Sequence, residues 1–197
     1  MSSRQLVLLK IIVFISCLLP LAWLLYALLQ DQLGANPIEV VIRRIGEWGL
    51  QLLLITLCMT PLRDVVQQPW PIQIRRMLGL FAFFYVCLHF VSYLWLEQFF
   101  DWSEIVRDII KRPFITVGML AVLGLLPLAL TSTRKAQRRL GKKWKRLHQL
   151  VYPVSIFAVL HFFWLVKADL LKPAIYSLCL LLLLGYRIYK HRFARFG

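Results

Sequence analysis

Apolar residues in this chain neither alternate nor recur on one face of a helix; they run. The long stretches cover approximately 8–29, 45–62, 77–97, 114–132, 148–166 and 171–189, and most charged residues gather between them. About 20 apolar residues in a helix cross the roughly 30 Å hydrocarbon layer of a bilayer. The pattern therefore predicts an all-α integral membrane bundle of about six transmembrane helices, forming one domain over residues 1–197. The second stretch is the weakest, with Glu47 at its start and Pro61 near its end. Gly34-Ala35-Asn36-Pro37 is a turn signal, Pro69 and Pro71 punctuate the second link, Pro113 opens the fourth helix and Pro173 lies near the start of the sixth. Proline suits a first helical turn, where its missing N–H has no partner to lose. No internal repeat is evident. Arg4 and Lys10 precede the first stretch as they would in a signal peptide, but the apolar run reaches about Leu29 and no small-residue cleavage site follows. It reads as a retained first helix.

Composition agrees. The chain is 60% hydrophobic and 17% charged, with a mean hydropathy of +0.69, where soluble domains are about a quarter charged. The net charge of +15 has two readings, nucleic-acid binding or basic loops beside membrane spans. The basic residues sit just outside the apolar stretches, so no nucleic-acid partner is expected. One side of the membrane receives 17 Lys and Arg, from the N-terminus, the second loop, the 134–146 loop and the tail as far as Arg195; the other receives 7, among them Arg43, Arg44, Arg107 and Lys167. Both termini are therefore expected in the cytoplasm. The basic loop from Arg134 to Arg146 suits anionic membrane lipid or an acidic cytosolic flavoprotein. The third loop faces out and carries Glu97, Asp101, Glu104 and Asp108 with Phe99, Phe100 and Trp102, which suits an interfacial segment or a docking surface. Cys17, Cys58, Cys87 and Cys179 lie singly in apolar runs and read as small apolar residues.

Ionisable side chains within spans are rare, so each is a functional candidate. His89 lies deep in the third span and His161 deep in the fifth. The plain alternative for each is a histidine hydrogen-bonded to a neighbouring helix. Each lies 13 residues from a cytoplasmic entry point, near Arg76 and His148 respectively, or roughly 20 Å along its helix. Two imidazoles at one level can clamp a metal or a haem. Haem fits best, because zinc would need further ligands and no carboxylate or other histidine is expected at that depth. Tyr85, Tyr93, Phe157 and Trp164 could pack a porphyrin, although aromatics at helical spacing are more often ordinary packing. On an ideal helix His148 points about 140° away from His161, which argues against a shared face unless Pro153 kinks the helix. Otherwise His148 reads as an interfacial histidine, and His191 in the tail reads as solvated.

Blocks spread along nearly the whole chain carry a resemblance. They are Asn36-Pro37-Ile38-Glu39, Leu54-Ile55-Thr56-Leu57 leading to Thr60-Pro61-Leu62-Arg63, and Arg75-Arg76-Met77-Leu78-Gly79-Leu80 ahead of His89. They continue in Lys111-Arg112-Pro113-Phe114-Ile115-Thr116-Val117-Gly118, Pro127-Leu128-Ala129-Leu130-Thr131-Ser132, Trp144-Lys145-Arg146-Leu147-His148-Gln149-Leu150-Val151-Tyr152, and Leu160-His161-Phe162-Phe163-Trp164-Leu165-Val166-Lys167. In this order they resemble the MsrQ (YedZ) family, haem-binding membrane subunits of a periplasmic methionine sulfoxide reductase system, within the ferric-reductase-like transmembrane superfamily. The resemblance implies a multi-pass protein of the bacterial inner membrane with haem b, one or two, held by His89, His161 and His148, the first two as axial ligands of one haem iron. It implies electron transfer from the quinone pool or a cytosolic flavin reductase to a periplasmic molybdopterin-containing methionine sulfoxide reductase subunit, for repair of oxidised periplasmic proteins. FMN is implied by resemblance only, since no stretch reads as a flavin site. Related oxidases bracket two haems with two histidine pairs. Here Arg75 and Arg76 stand where a fourth histidine would be expected, so a second haem needs another ligand or is weakly held, and the arginines suit haem propionates.

Two other readings remain at this point. One is a cofactor-free small membrane transporter or assembly protein whose histidines serve packing or proton relay. The other is a ferric reductase, which would need a partner for flavin chemistry. No substrate-reducing site is expected in this chain itself.

Overall fold

The computed structural model describes residues 1–166 and 169–193, so Lys167, Arg195 and Gly197 lie outside the described residues. The chain divides into two compact units, the first ending at Asp101 and the second starting at Trp102. Among the described residues all regular structure is helical, which bears out the all-α expectation.

The first unit holds α1 (Ser3–Leu29), α2 (Pro37–Val66) and α3 (Trp70–Ser92), the last continuing as a π-helical turn over Tyr93–Glu97. The turn signal before α2 works as a cap. Asn36 Oδ1 accepts from the backbone N–H of Glu39 at 3.2 Å, Asn36 Nδ2 reaches the Glu39 carboxylate at 3.0 Å, and Pro37 opens the helix. The main packing is α2 on α3, with α1 laid against both. The core between them includes Leu24, Ile45, Met59, Leu78, Phe81 and Tyr85. Most of α1 faces outward with apolar side chains such as Leu8, Ile11 and Leu19. That arrangement is stable against lipid and would not be in water.

The second unit holds α4 (Trp102–Lys111), α5 (Pro113–Leu130), α6 (Arg134–Leu140), α7 (Lys142–His148), α8 (Val151–Leu165) and α9 (Leu171–Phe193). Here α5 packs on α8, α8 on α9 and α4 on α5. The third loop is thus largely the helix α4, tied to α5 by the Arg112–Asp108 ion pair at 3.1 Å and by the Thr116 hydroxyl donating to the Ile109 carbonyl. The basic loop is likewise two short helices, hinged at Gly141, whose φ is +49°.

Six helical segments are long and apolar enough to span: Ser3–Leu29, Pro37–Val66, Trp70–Glu97, Pro113–Leu130, Lys142–Leu165 and Leu171–Arg192. They match the six apolar runs, and most extend beyond them. The second, fifth and sixth are least apolar, with mean hydropathies of 1.4, 1.3 and 1.4 against 2.5 for the first. The fifth span breaks between His148 and Val151 because Pro153 has no N–H to offer the Gln149 carbonyl. That carbonyl accepts from the Tyr152 N–H instead, at 3.0 Å. The angular relation computed for an unbroken helix therefore does not apply to His148 and His161. Hydroxyls within the spans fold back onto their own helices. Thr56, Ser92 and Ser155 each donate to the carbonyl four residues earlier at 2.7 Å, which satisfies them where no water reaches.

Candidate functional site

The two deep histidines are built in the same way, one in each unit. In the first, His89 on α3 brings Nδ1 to 2.9 Å from the carbonyl oxygen of Ile42 on α2. In the second, His161 on α8 brings Nδ1 to 2.7 Å from the carbonyl oxygen of Phe114 on α5. Both contacts join residues 47 positions apart in sequence. A carbonyl only accepts, so Nδ1 carries the proton in each ring, and in the neutral form of the ring the lone pair is on Nε2. Each carbonyl lies within a helix. One of its lone pairs serves the N–H four residues on, and the second serves the imidazole.

A glycine sits one turn after each carbonyl. A Cβ added at Gly46 would lie 2.8 Å from His89 Nδ1 and 2.9 Å from its Cε1. At Gly118 it would lie 2.7 Å from His161 Nδ1 and 3.0 Å from Cε1. Phe114, Gly118 and His161 stand 72 positions after Ile42, Gly46 and His89, and the tripeptide Leu-His-Phe occurs at 88–90 and again at 160–162. The structure thus uncovers a repeated arrangement that the sequence, read without it, did not display.

His148 is different. It ends α7, its ring stacks on Trp144 with centroids 3.9 Å apart, and its Nδ1 lies 3.2 Å from the Trp144 carbonyl of its own helix. Trp144 in turn donates its indole N–H to the Thr131 carbonyl at the end of α5, at 3.0 Å. Two of the sequence blocks are thereby explained as a single joint. The same 72-residue step from Arg76 reaches His148, so Arg76 is the sequence counterpart of His148, although α3 runs unbroken through Arg76 and α7 ends at His148. Arg75 approaches the Thr60 hydroxyl at 3.5 Å.

Of the aromatics named as porphyrin walls, Tyr85 is committed elsewhere. It is fully buried, its hydroxyl donates to the Cys17 carbonyl at 2.6 Å, and its ring meets Trp48 edge-on at 5.9 Å. Trp164 is exposed, and Tyr93 and Phe157 are partly buried. His191 is exposed on α9.

Residues 45–159 match the family described as ferric reductase like transmembrane component. A "Protein-methionine-sulfoxide reductase heme-binding subunit MsrQ" from Rhodospirillum rubrum is 54% identical over 180 residues, covering 91% of this chain and 86% of that one. Proteins of the same name are 49% identical in Herminiimonas arsenicoxydans, covering 95% of this chain and 88% of theirs, and 52% identical in Azospira oryzae, covering 95% and 81%. The chain belongs to the MsrQ family. No solved structure matches it. As an MsrQ family member with six span-capable helices, it is a multi-pass membrane protein. Reasoning from sequence passed over Gly46 and Gly118. The signal that would have found them is the shared 43-residue step from glycine to histidine in both halves.

Proposed function

We propose that this chain is a haem b electron carrier of a methionine sulfoxide reductase system, with His89 and His161 as axial ligands of one haem iron. The observation that carries the reading is the matched pair of Nδ1 contacts to the carbonyls of Ile42 and Phe114, at 2.9 and 2.7 Å. Metal-ligating histidines almost always donate their other ring N–H to a carbonyl or carboxylate, which fixes tautomer and ring orientation. The donor set fits haem: two imidazoles, each with Nδ1 seated on a carbonyl and Nε2 left as the coordinating nitrogen, suit low-spin iron. The names of the relatives supply the haem and the methionine sulfoxide reductase partner.

Bound haem supplies one-electron ferric–ferrous chemistry. The protein's own contribution is to hold each ring at a fixed orientation inside apolar helix pairs and to keep the proton on Nδ1. The ligand lone pair then stays in place through both oxidation states. His148, locked in the same tautomer by Trp144, is the candidate ligand of a second haem. FMN rests on the family likeness alone.

The surrounding system follows from the charge pattern and the family. Both termini and the 134–146 loop lie in the cytoplasm of a cell with this chain in its inner membrane, by the bias of Lys and Arg. Electrons enter from the quinone pool or a cytosolic flavin reductase. They leave to a periplasmic molybdopterin-containing subunit that reduces methionine sulfoxide in periplasmic proteins. The basic helices α6 and α7 rest on anionic lipid.

Pyridine haemochrome quantitation and optical spectra of the wild type, His89→Ala and His161→Ala test the assignment. The wild type is expected to be red, with a low-spin Soret band that shifts on dithionite reduction, and each variant is expected to lose it. An unchanged low-spin spectrum in either variant removes that histidine from the ligand set. Colourless wild-type protein from haem-replete cells removes the haem.

A further inference from the structure

A glycine inside a transmembrane helix usually serves close helix packing. Gly49 on α2 is of that kind: a Cβ there would meet Val86 Cγ2 at 3.1 Å, the Val86 backbone nitrogen at 3.4 Å and Tyr85 Cβ at 3.5 Å. Gly46 and Gly118 differ. The three atoms nearest an added Cβ are, at each of them, Nδ1, Cε1 and Cγ of the deep histidine, at 2.8, 2.9 and 3.3 Å for Gly46 and 2.7, 3.0 and 3.3 Å for Gly118. These glycines make room for an imidazole and not for a backbone.

Helix geometry says why the room must be there. Cα–Cβ bonds tilt toward the helix N-terminus, so the side chain at one position leans over the turn before it. The carbonyl of Ile42 is one turn before Gly46, and that of Phe114 one turn before Gly118. Any side chain at the glycine would cover the oxygen that the histidine uses. We infer that Gly46 and Gly118 are positioning residues for the haem ligands: by leaving the Ile42 and Phe114 carbonyls uncovered, they let each imidazole seat its Nδ1–H on helix backbone and aim Nε2 at the iron. This rests on the assignment of His89 and His161 as ligands.

The seat also has an electronic consequence. A carbonyl accepting from Nδ1–H makes the imidazole a stronger donor, and a stronger donor favours ferric over ferrous iron. Haem iron held by rings seated this way would favour its ferric state and a low midpoint potential, as suits a carrier that passes electrons onward. A methyl group at either glycine pushes the ring off the carbonyl. The variant haem is expected to be bound about tenfold or more weakly, the size usual for removing such a hydrogen-bond partner, and its midpoint potential is expected to rise.

The test compares Gly46→Ala, Gly118→Ala and Gly49→Ala in detergent-solubilised full-length protein. Fold is checked by thermal unfolding of tryptophan fluorescence, and the readouts are haem affinity, low-spin EPR g-values and midpoint potential. The expected result is altered g-values, a raised potential and weakened haem in the first two, with wild-type g-values and potential in Gly49→Ala even if its unfolding temperature falls. Wild-type g-values and potential in Gly46→Ala and Gly118→Ala overturn the inference, and so does an equal change in Gly49→Ala. If the alanine variants fail to fold, His89→Gly supplied with external ligand decides. Imidazole, which can donate to the Ile42 carbonyl, is expected to restore the low-spin spectrum at about tenfold lower concentration than 1-methylimidazole, which cannot donate; equal concentrations overturn the inference. A low-spin spectrum that survives His89→Ala and His161→Ala instead refutes the ligand assignment, which separates the two failures.

Discussion

Tyr85 offers a clean separation of structural from cofactor roles. It stands one turn before His89 on α3, yet it is fully buried and its hydroxyl donates to the Cys17 carbonyl of α1 at 2.6 Å. In Tyr85→Phe the ring and its edge-on contacts with Trp48 and Phe84 remain, at 5.9 and 5.5 Å in the wild type, and only the O–H is lost. The Tyr85 oxygen also takes a backbone hydrogen bond from Leu21, one turn after Cys17 on α1, so its loss leaves that N–H and the Cys17 carbonyl to pair with each other along the helix. Hydrogen bonds between membrane helices average about 0.6 kcal/mol, and about 1 kcal/mol is usual in soluble proteins. The expected loss is about 0.6–1 kcal/mol, roughly a three- to fivefold shift in the unfolding equilibrium. Tyr85→Ala also removes the ring from the core and should lose about 3–5 kcal/mol, as truncation of a large aromatic does. Titration with SDS, followed by tryptophan fluorescence, gives both values, with Trp48 a local reporter. Haem content and the low-spin spectrum of Tyr85→Phe are expected to equal wild type. A spectrum altered in Tyr85→Phe would show that this side chain acts on the cofactor. A stability equal to wild type would show that the Tyr85–Cys17 bond contributes nothing to holding α1.

Other outcomes follow from single contacts. Asn36→Ala removes the cap of α2 and should lower stability by about 1 kcal/mol, read in the same SDS titration, with little change in the haem spectrum. His148→Ala should lose at most part of the haem measured by pyridine haemochrome, because the third span offers Arg75 and Arg76 and no histidine at the matching position; complete loss would make His148 a ligand of the main site. Reporter fusions within residues 134–146 should report cytoplasm, and periplasmic activity there would overturn the proposed topology.

Much of the molecule was legible as text. Runs of about 20 apolar residues have one stable form in a bilayer, a helix that satisfies its own backbone, so the spans and the all-α class followed from hydropathy. Gly34-Ala35-Asn36-Pro37 marked a turn because turn chemistry is local, and the structure adds that Asn36 caps a helix starting at Pro37, ahead of the apolar run from about 45. His89 and His161 stood out because an ionisable group in an apolar run demands a reason. The order of the sequence blocks was enough to indicate the family.

Tertiary structure alone decided what those histidines touch. An imidazole finds its partner across a helix interface, and nothing local to His89 names Ile42, nor anything local to His161 names Phe114. Gly46 and Gly118 look like any small residue of a transmembrane helix until the neighbouring ring is in place. The break after His148 needed the competition between Pro153 and the Gln149 carbonyl to be resolved in three dimensions. Tyr85 could be a cofactor wall or ordinary packing until the structure showed it buried with its hydroxyl on the Cys17 carbonyl. Sequence fixes which groups a helix carries, because periodicity and hydropathy are local. Which carbonyl meets which ring depends on how two helices lie against each other, and that is set by the sum of many side-chain contacts that no short stretch of chain contains.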